Sequence, residues 1–320
     1  MQNLTIKDIA KLCGVGKSTV SRVINHDPNV KASTREKVLA IIAEQQFSPS
    51  KSARAMRGYH HQVIGIMVTR LDSYAENQAV RAMLPILYQQ GIDAMIVESQ
   101  FNHQQVKTHL KMLQSRQVDG LITFAFSDLD TTLFAPWQDK ALFMARIINR
   151  FPSICYDDVG AVYQVLNYLY TVKQHRNIGF LGVQLTDLTT GKLRYQAYQQ
   201  FCQQHQLACH AQLGDLDSQS GYLLASQLLA TNPTAIVCAT DSLALGLGKY
   251  LQENQIHTVE VCSIGYSELL KFLYPAILSV DLGFYASGQI AATSLLRLLA
   301  GEDIPQHTII SSKMSSQHVC

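Results

Sequence analysis

Three arginines in the 320-residue chain each stand just past a short apolar run. Arg70 follows residues 63–68, Arg146 follows 141–145, and Arg194 lies beyond the run that ends near Gly182. If those runs are parallel strands, the three guanidiniums reach one mouth, at the strand ends where open α/β sheets bind their ligands. Two guanidiniums on one anion suit a phosphate, with Thr189, Thr190 and a helix N-terminus as further donors. Glu76, Asp187 and Asp241 supply acceptors for sugar hydroxyls. The ordinary alternatives are a structural ion pair for each arginine and a helix cap for Asp241. Three arginines at three strand ends tip the reading toward an anionic ligand.

A second group lies near the N-terminus. Lys17, Ser18, Ser21 and Arg22 share the exposed face of a short helical pattern, with Thr19 near its start. Lys and Arg suit guanine O6 and N7, and Ser or Thr suits base edges or phosphates. The same residues would serve as the solvated face of any small helical domain, so the charge distribution decides. The chain has 26 Lys and Arg against 24 Asp and Glu, a net +2. Residues 1–60 hold ten of the bases and four of the acids, a local +6 that leaves the other 260 residues at −4. A basic head on an acidic body points to DNA binding confined to the head.

Other chemistries find little support. There is no GxSxG, Walker loop, HExxH, or GxGxxG after a strand, and no histidine pair at metal-binding spacing beside a carboxylate. Glu76 with Asp187 is a thin acid–base candidate, and the body reads as a sensor rather than an enzyme. A solute-binding protein would share such a body but not the basic head. Seven cysteines without CxxC spacing argue against zinc or a disulfide framework. No apolar run is long enough to span a membrane, and the first residues lack a signal-peptide pattern, so a cytoplasmic location is expected.

The elements that must position these groups follow from periodicity. Thr5 with Asp8 forms a capping box, and Ile6, Ile9, Ala10 and Cys13 line one helical face. Gly14 breaks that helix; a second runs from about Lys17 to Asn25, burying Val20, Val23 and Ile24. A third is expected from Ser33, with Glu36 completing another capping box and Val38, Ile41 and Ile42 buried. Three short helices with a tight glycine turn make a helix-turn-helix. From Val63 onward, apolar runs at 63–68, 94–97, 121–124, 141–145, 178–181, 234–238 and 259–264 alternate with helical patterns at 77–90, 103–115, 160–172, 191–204, 219–230 and 242–254. Such alternation gives parallel sheets covered by helices, and this length predicts two α/β lobes with a ligand cleft between them. The expected organisation is a head at 1–47, a hinge at 48–61, a first lobe at 62–158 plus 284–320, and a second lobe at 159–283. Gly246 and Gly248, inside a helical pattern, are read as close-packing positions.

The run from Leu4 through Thr5-Ile6-Lys7-Asp8-Ile9-Ala10, Gly14-Val15-Gly16-Lys17-Ser18-Thr19-Val20-Ser21-Arg22 to Asn25 resembles the DNA-binding head of the lactose-repressor family. The resemblance implies a small all-α head and hinge helix followed by a two-lobe domain of the periplasmic-binding-protein type. It implies DNA contacts from Thr5, Lys17, Ser18, Thr19, Ser21, Arg22 and Asn25. It also implies a hinge contacting DNA through Ser50 and Ala53, with Met56 as the apolar wedge in the minor groove. Gly16 stands where the family often has a capping serine, a change costing a few tenths of a kcal/mol.

Along nearly the whole chain, Val68–Ser73, Ala75–Asn77, Glu98–Phe101, Cys155–Asp158, Asp187–Lys192 and Cys238–Asp241 resemble the family members that respond to trehalose 6-phosphate. The implied effector contacts are Arg70, Glu76, Arg146, Asp187, Leu188, Thr189, Thr190, Arg194, Ser242 and Phe284. Ser242 replaces a threonine and keeps the hydroxyl. Phe284 replaces a tyrosine, deleting one hydrogen-bonding group worth roughly 0.5–1.5 kcal/mol or relaxing the choice of disaccharide. The implied function is a repressor released from a palindromic operator by this sugar phosphate, as a homodimer without cofactor or metal. Some family members bind their ligand as a corepressor instead. The last ten residues carry no leucine heptad that would add a tetramer.

Overall fold

The computed structural model describes residues 4–24, 27–45 and 62–314. Asn25, Ser50, Ala53, Met56, the hinge at 48–61 and the final residues 315–320 lie outside the described residues. The chain divides into two compact units, Met1–His61 and Gln62–Cys320.

In the head, α1 (Ile6–Cys13), α2 (Lys17–Ile24) and α3 (Ala32–Glu44) enclose a small core of Ile6, Ile9, Ala10, Cys13, Val20, Val23 and Val38. The Asp8 carboxylate accepts from the Thr5 amide at 2.9 Å and from its hydroxyl at 2.6 Å, and these bonds hold Asp8 below the usual carboxylate range. Gly14 adopts φ 66°, the left-handed exit that lets α1 turn sharply into α2. The expected Ser33–Glu36 capping box is not formed. The helix starts one residue earlier, at Ala32 after Lys31, with no side-chain cap. The preceding turn is held instead by Arg35, whose Nη2 donates to the Asp27 carbonyl at 2.6 Å.

The body contains two six-stranded sheets. The first comprises β1 (Val63–Val68), β2 (Asp93–Glu98), β3 (Gly120–Phe124), β4 (Ala141–Met144), β5 (Ser153–Tyr156) and β11 (His307–Ile310), in the order β11-β5-β4-β3-β1-β2. The second comprises β6 (Ile178–Val183), β7 (His210–Gly214), β8 (Ala235–Cys238), β9 (Glu260–Ile264), β10 (Leu278–Asp281) and β12 (Lys313–Met314), in the order β12-β10-β9-β8-β6-β7. All pairings are parallel except β10 with β12. Strands covered by helices on both faces have no solvated side, which is why β3, β4, β6 and β8 are buried throughout and read as unbroken apolar runs.

The helices of the body are α4 (Tyr74–Gln89), α5 (His103–Ser115), α6 (Asp158–Asn167), α7 (Arg194–Gln204), α8 (Ser218–Leu229), α9 (Asp241–Glu253), α10 (Glu268–Leu273) and α11 (Phe284–Leu299). The chain passes from the first sheet to the second after Tyr156 and returns after Asp281. It crosses once more after Ile310, because Lys313 and Met314 pair with Asp281 and Val280. The expectation that all of 284–320 belongs to the first lobe is corrected there. Two residues of antiparallel pairing leave no periodic signal to read. The helix expected at 191–204 begins at Arg194, preceded by a wide π-type turn over Leu188–Leu193.

Among the described residues no helix is long and apolar enough to cross a membrane. Gly246 and Gly288 are close-approach positions. A Cβ on Gly246 would lie 1.9 Å from the Ser218 carbonyl oxygen of α8, and one on Gly288 would lie 2.0 Å from that of Ala79 on α4. Helix propensity alone would make Gly246→Ala stabilising by up to about 1 kcal/mol. The contact with α8 predicts the opposite sign, a loss of about 1–3 kcal/mol in urea unfolding from overpacking; a gain would contradict this packing.

Candidate functional site

The C-terminal ends of the two parallel sheets face one cleft in the body. Arg70, Glu76, Arg146, Asp187, Thr189, Thr190, Arg194, Ser242 and Phe284 all line it. Leu188 does not; it lines a separate surface pocket and meets the opposite lobe through its backbone. The cleft has a cavity volume of about 150 Å³.

The three arginines differ in their bonding. Arg194 is 4% exposed and forms a two-pronged contact with Asp158, Nε at 2.8 Å and Nη2 at 2.6 Å from Oδ1, while Nη1 donates to the Ala239 carbonyl. Its charge is balanced inside the wall. Burial raises the Asp158 carboxyl above its ordinary value and the Arg194 guanidinium pulls it back. Arg146 is half-buried and directs Nη1 to the carbonyls of Phe126 at 2.6 Å and Ser127 at 2.7 Å, and among the described residues it forms no ion pair. Arg70 sends Nη1 across the cleft to the Leu216 carbonyl at 3.1 Å. Its Nε forms an ion pair with the exposed Asp72 carboxylate at 3.5 Å, and is a buried donor without a hydrogen-bond partner among the described residues. A buried donor that lacks an acceptor is costly, and an anion would supply one.

The acids differ as much. Glu76, near the start of α4, accepts from the amides of Thr69 at 2.6 Å and Arg70 at 3.4 Å and from the Thr69 hydroxyl. Burial outweighs these donors and pushes its carboxyl up to about 7. Asp187 caps the π-type turn, taking the amides of Thr189 at 3.0 Å and Gly191 at 3.1 Å. Asp241 is saturated by the hydroxyls of Ser263 and Ser279 and the Ser267 amide, which tie α9 to β9, β10 and α10. Burial raises its carboxyl nonetheless. It is neither a free acceptor nor the cap of α9, because Thr240 holds that position by accepting from the Leu243 amide. Phe284 packs edge-on against Tyr156 with centroids 5.0 Å apart, and the Tyr156 hydroxyl is 3.1 Å from Ser287.

Sequence reasoning missed two residues whose hydrogen bonds cross the cleft. Ser127 accepts from the Leu188 amide at 2.8 Å, and Tyr74 donates to the Tyr266 carbonyl at 3.3 Å. Their partners are 61 and 192 residues away, so no local pattern marks them. Among the described residues no cluster of His, Cys, Asp and Glu is arranged to hold a metal.

On the head, Lys17, Ser18 and Arg22 are exposed, and Thr19 and Ser21 are half-buried beside them on α2. Arg22 Nε lies 3.8 Å from the Asp27 carboxylate but remains 65% exposed, so its fork stays accessible. Thr5 is exposed at the start of α1.

The bacterial regulatory proteins of the lacI family match residues 5–50, and the periplasmic binding protein-like domain matches residues 168–315. The chain is 48% identical to the HTH-type transcriptional regulator TreR of Salmonella typhimurium, over 98% of this chain and 100% of that one. It is 47% identical to TreR of Escherichia coli over the same shares. The solved trehalose repressor from Escherichia coli covers 80% of this chain and 100% of its own, with a TM-score of 0.78 and 43% identity. A lac repressor dimer bound to operator and an anti-inducer matches 98% of both chains at a TM-score of 0.84 and 24% identity, a likeness of fold alone. The chain belongs to the lacI family of bacterial regulatory proteins.

Proposed function

We propose that this regulator represses trehalose uptake and utilisation genes and is released from its operator by trehalose 6-phosphate bound between the two lobes. The full-length likeness to TreR proteins supports the regulon. The observation that carries the effector class is the cleft itself, where, among the described residues, Arg70 holds a buried donor without a hydrogen-bond partner and Arg146 forms no ion pair. In this reading Arg70 and Arg146 hold the phosphate, while Thr189, Thr190, Ser242 and the carboxyls of Glu76 and Asp187 bond sugar hydroxyls. Phe284 supplies a flat apolar face. Arg194 acts through Asp158, and Leu188 through its amide, rather than by side-chain contact.

The head at 1–47 reads a palindromic operator as half of a homodimer, since two heads about one DNA turn apart match two half-sites. The hinge at 48–61 links it to the body. Release requires that the effector bind the released arrangement more tightly than the operator-bound one. Fluorescence anisotropy of labelled operator DNA tests this directly. Trehalose 6-phosphate should weaken operator affinity, and tightening would mark a corepressor.

The different bonding of the arginines gives separable predictions. Arg70→Ala should raise the trehalose 6-phosphate concentration needed for release by about 10- to 100-fold, the worth of a charged hydrogen bond, without lowering the melting temperature. Arg194→Ala should cost about 3–5 kcal/mol of stability in the body, because Asp158 is left buried without its partner. Identical behaviour of the two variants would remove the distinction.

Glu76 gives a pH signature. Its folded pKa of about 7 stands above the ordinary 4.5, so the folded body binds the proton more tightly than the unfolded chain. Stability from this group is therefore fully present below about pH 4.5 and is lost as pH rises toward 7. Glu76→Gln keeps the shape and removes the titration. The melting temperature of the parent protein relative to this variant should fall between pH 5 and pH 8, and a constant difference would contradict the shift.

A further inference from the structure

We propose that Ser127 is an interlobe latch, a positioning residue whose hydrogen bond to the Leu188 amide sets how tightly the cleft holds its effector. The proposal rests on the cleft being the effector site. Ser127 follows β3 in the first lobe, and its hydroxyl oxygen accepts from the Leu188 amide at 2.8 Å, at the first residue of the π-type turn in the second. That amide is one of the helix-start donors that a turn cannot satisfy internally. Asp187 takes the Thr189 and Gly191 amides and leaves it to Ser127. The other side of Ser127 is held by Arg146, whose Nη1 binds the carbonyls of Phe126 and Ser127. One hydroxyl thus joins the loop pinned by Arg146 to the turn that carries Thr189 and Thr190.

A ligand touching Arg146 on one wall and the two threonines on the other needs both walls in this arrangement. Its affinity scales with the fraction of molecules that adopt it. One neutral hydrogen bond changes that fraction by roughly two- to tenfold.

Both ends of the latch can be removed separately. Ser127→Ala deletes the acceptor. Leu188→Pro deletes the donor at a position where proline is tolerated, because Asp187 has φ −77° and ψ 115°, the extended conformation that proline requires of its predecessor. Calorimetric titration with trehalose 6-phosphate should show each variant binding roughly two- to tenfold more weakly. The double variant should bind no more weakly than the weaker single one, and Ser127→Thr should bind like the parent. Without any sugar, Ser127→Ala should speed hydrogen exchange at the Leu188 amide and leave the amides of β3 and β6 unchanged.

Additive losses in the double variant would make Ser127 a direct ligand contact and overturn the latch, as would unchanged exchange at Leu188. If Leu188→Pro fails to fold, equal affinities of Ser127→Ala and Ser127→Thr overturn it. If the parent protein does not bind trehalose 6-phosphate, the effector reading fails, while exchange at Leu188 still decides whether the latch exists.

Discussion

The body is organised around a buried charge that must be paired. Asp158 opens α6 just after the chain leaves the first sheet, and Arg194 opens α7 at the end of the π-type turn. Their contact, with the further bond from Arg194 to the Ala239 carbonyl, joins the lobe crossover, the turn and the end of β8 at one point in the cleft wall. A charge in so dry a place is tolerable only with its partner and its hydrogen bonds in place. The pair fixes where Thr189 and Thr190 stand and where the second lobe begins. Asp241 does similar work in the same cleft, with three serines in place of an arginine.

With those two carboxylates occupied by partners in the wall, the binding character of the cleft falls to Arg70, Arg146 and Glu76. Arg70 retains a buried donor without a hydrogen-bond partner among the described residues, Arg146 spends one nitrogen on two carbonyls, and burial pushes the Glu76 carboxyl up to about 7. Arg70 and Arg146, hydroxyls and an aromatic face on the cleft walls are what support the proposed sugar-phosphate effector. The chain's close relatives are transcriptional regulators, and the cleft serves binding rather than turnover.

Much of this was legible in the residues themselves. The spacing of Ile6, Ile9, Ala10 and Cys13 marks the buried face of α1, and the unbroken apolar runs mark parallel strands because strands covered on both sides have no solvated face. The strand-end positions of Arg70, Arg146 and Arg194 bring all three to the cleft. Their separate roles were not legible, since the partner of Arg194 lies 36 residues away and only the fold brings them together. For the same reason the Ser127–Leu188 bond and the β10–β12 pairing leave no local trace. The Ser33–Glu36 pattern shows the opposite failure. A valid local motif is overridden because Arg35 and the Asp27 turn start the helix one residue earlier.

The net charge of +2 conceals the division of labour between the units. A head at +6 carries the groups suited to DNA, and a body at −4 carries Arg70 and Arg146 in the wall of its cleft. The account turns on that cleft distinguishing a phosphorylated sugar from a plain one. Calorimetric titration of the full chain with trehalose 6-phosphate, sucrose 6-phosphate and free trehalose tests this most directly. Trehalose 6-phosphate should bind at least about tenfold more tightly than trehalose, the least that a charged hydrogen bond to phosphate should contribute. Equal affinities for the two would contradict it.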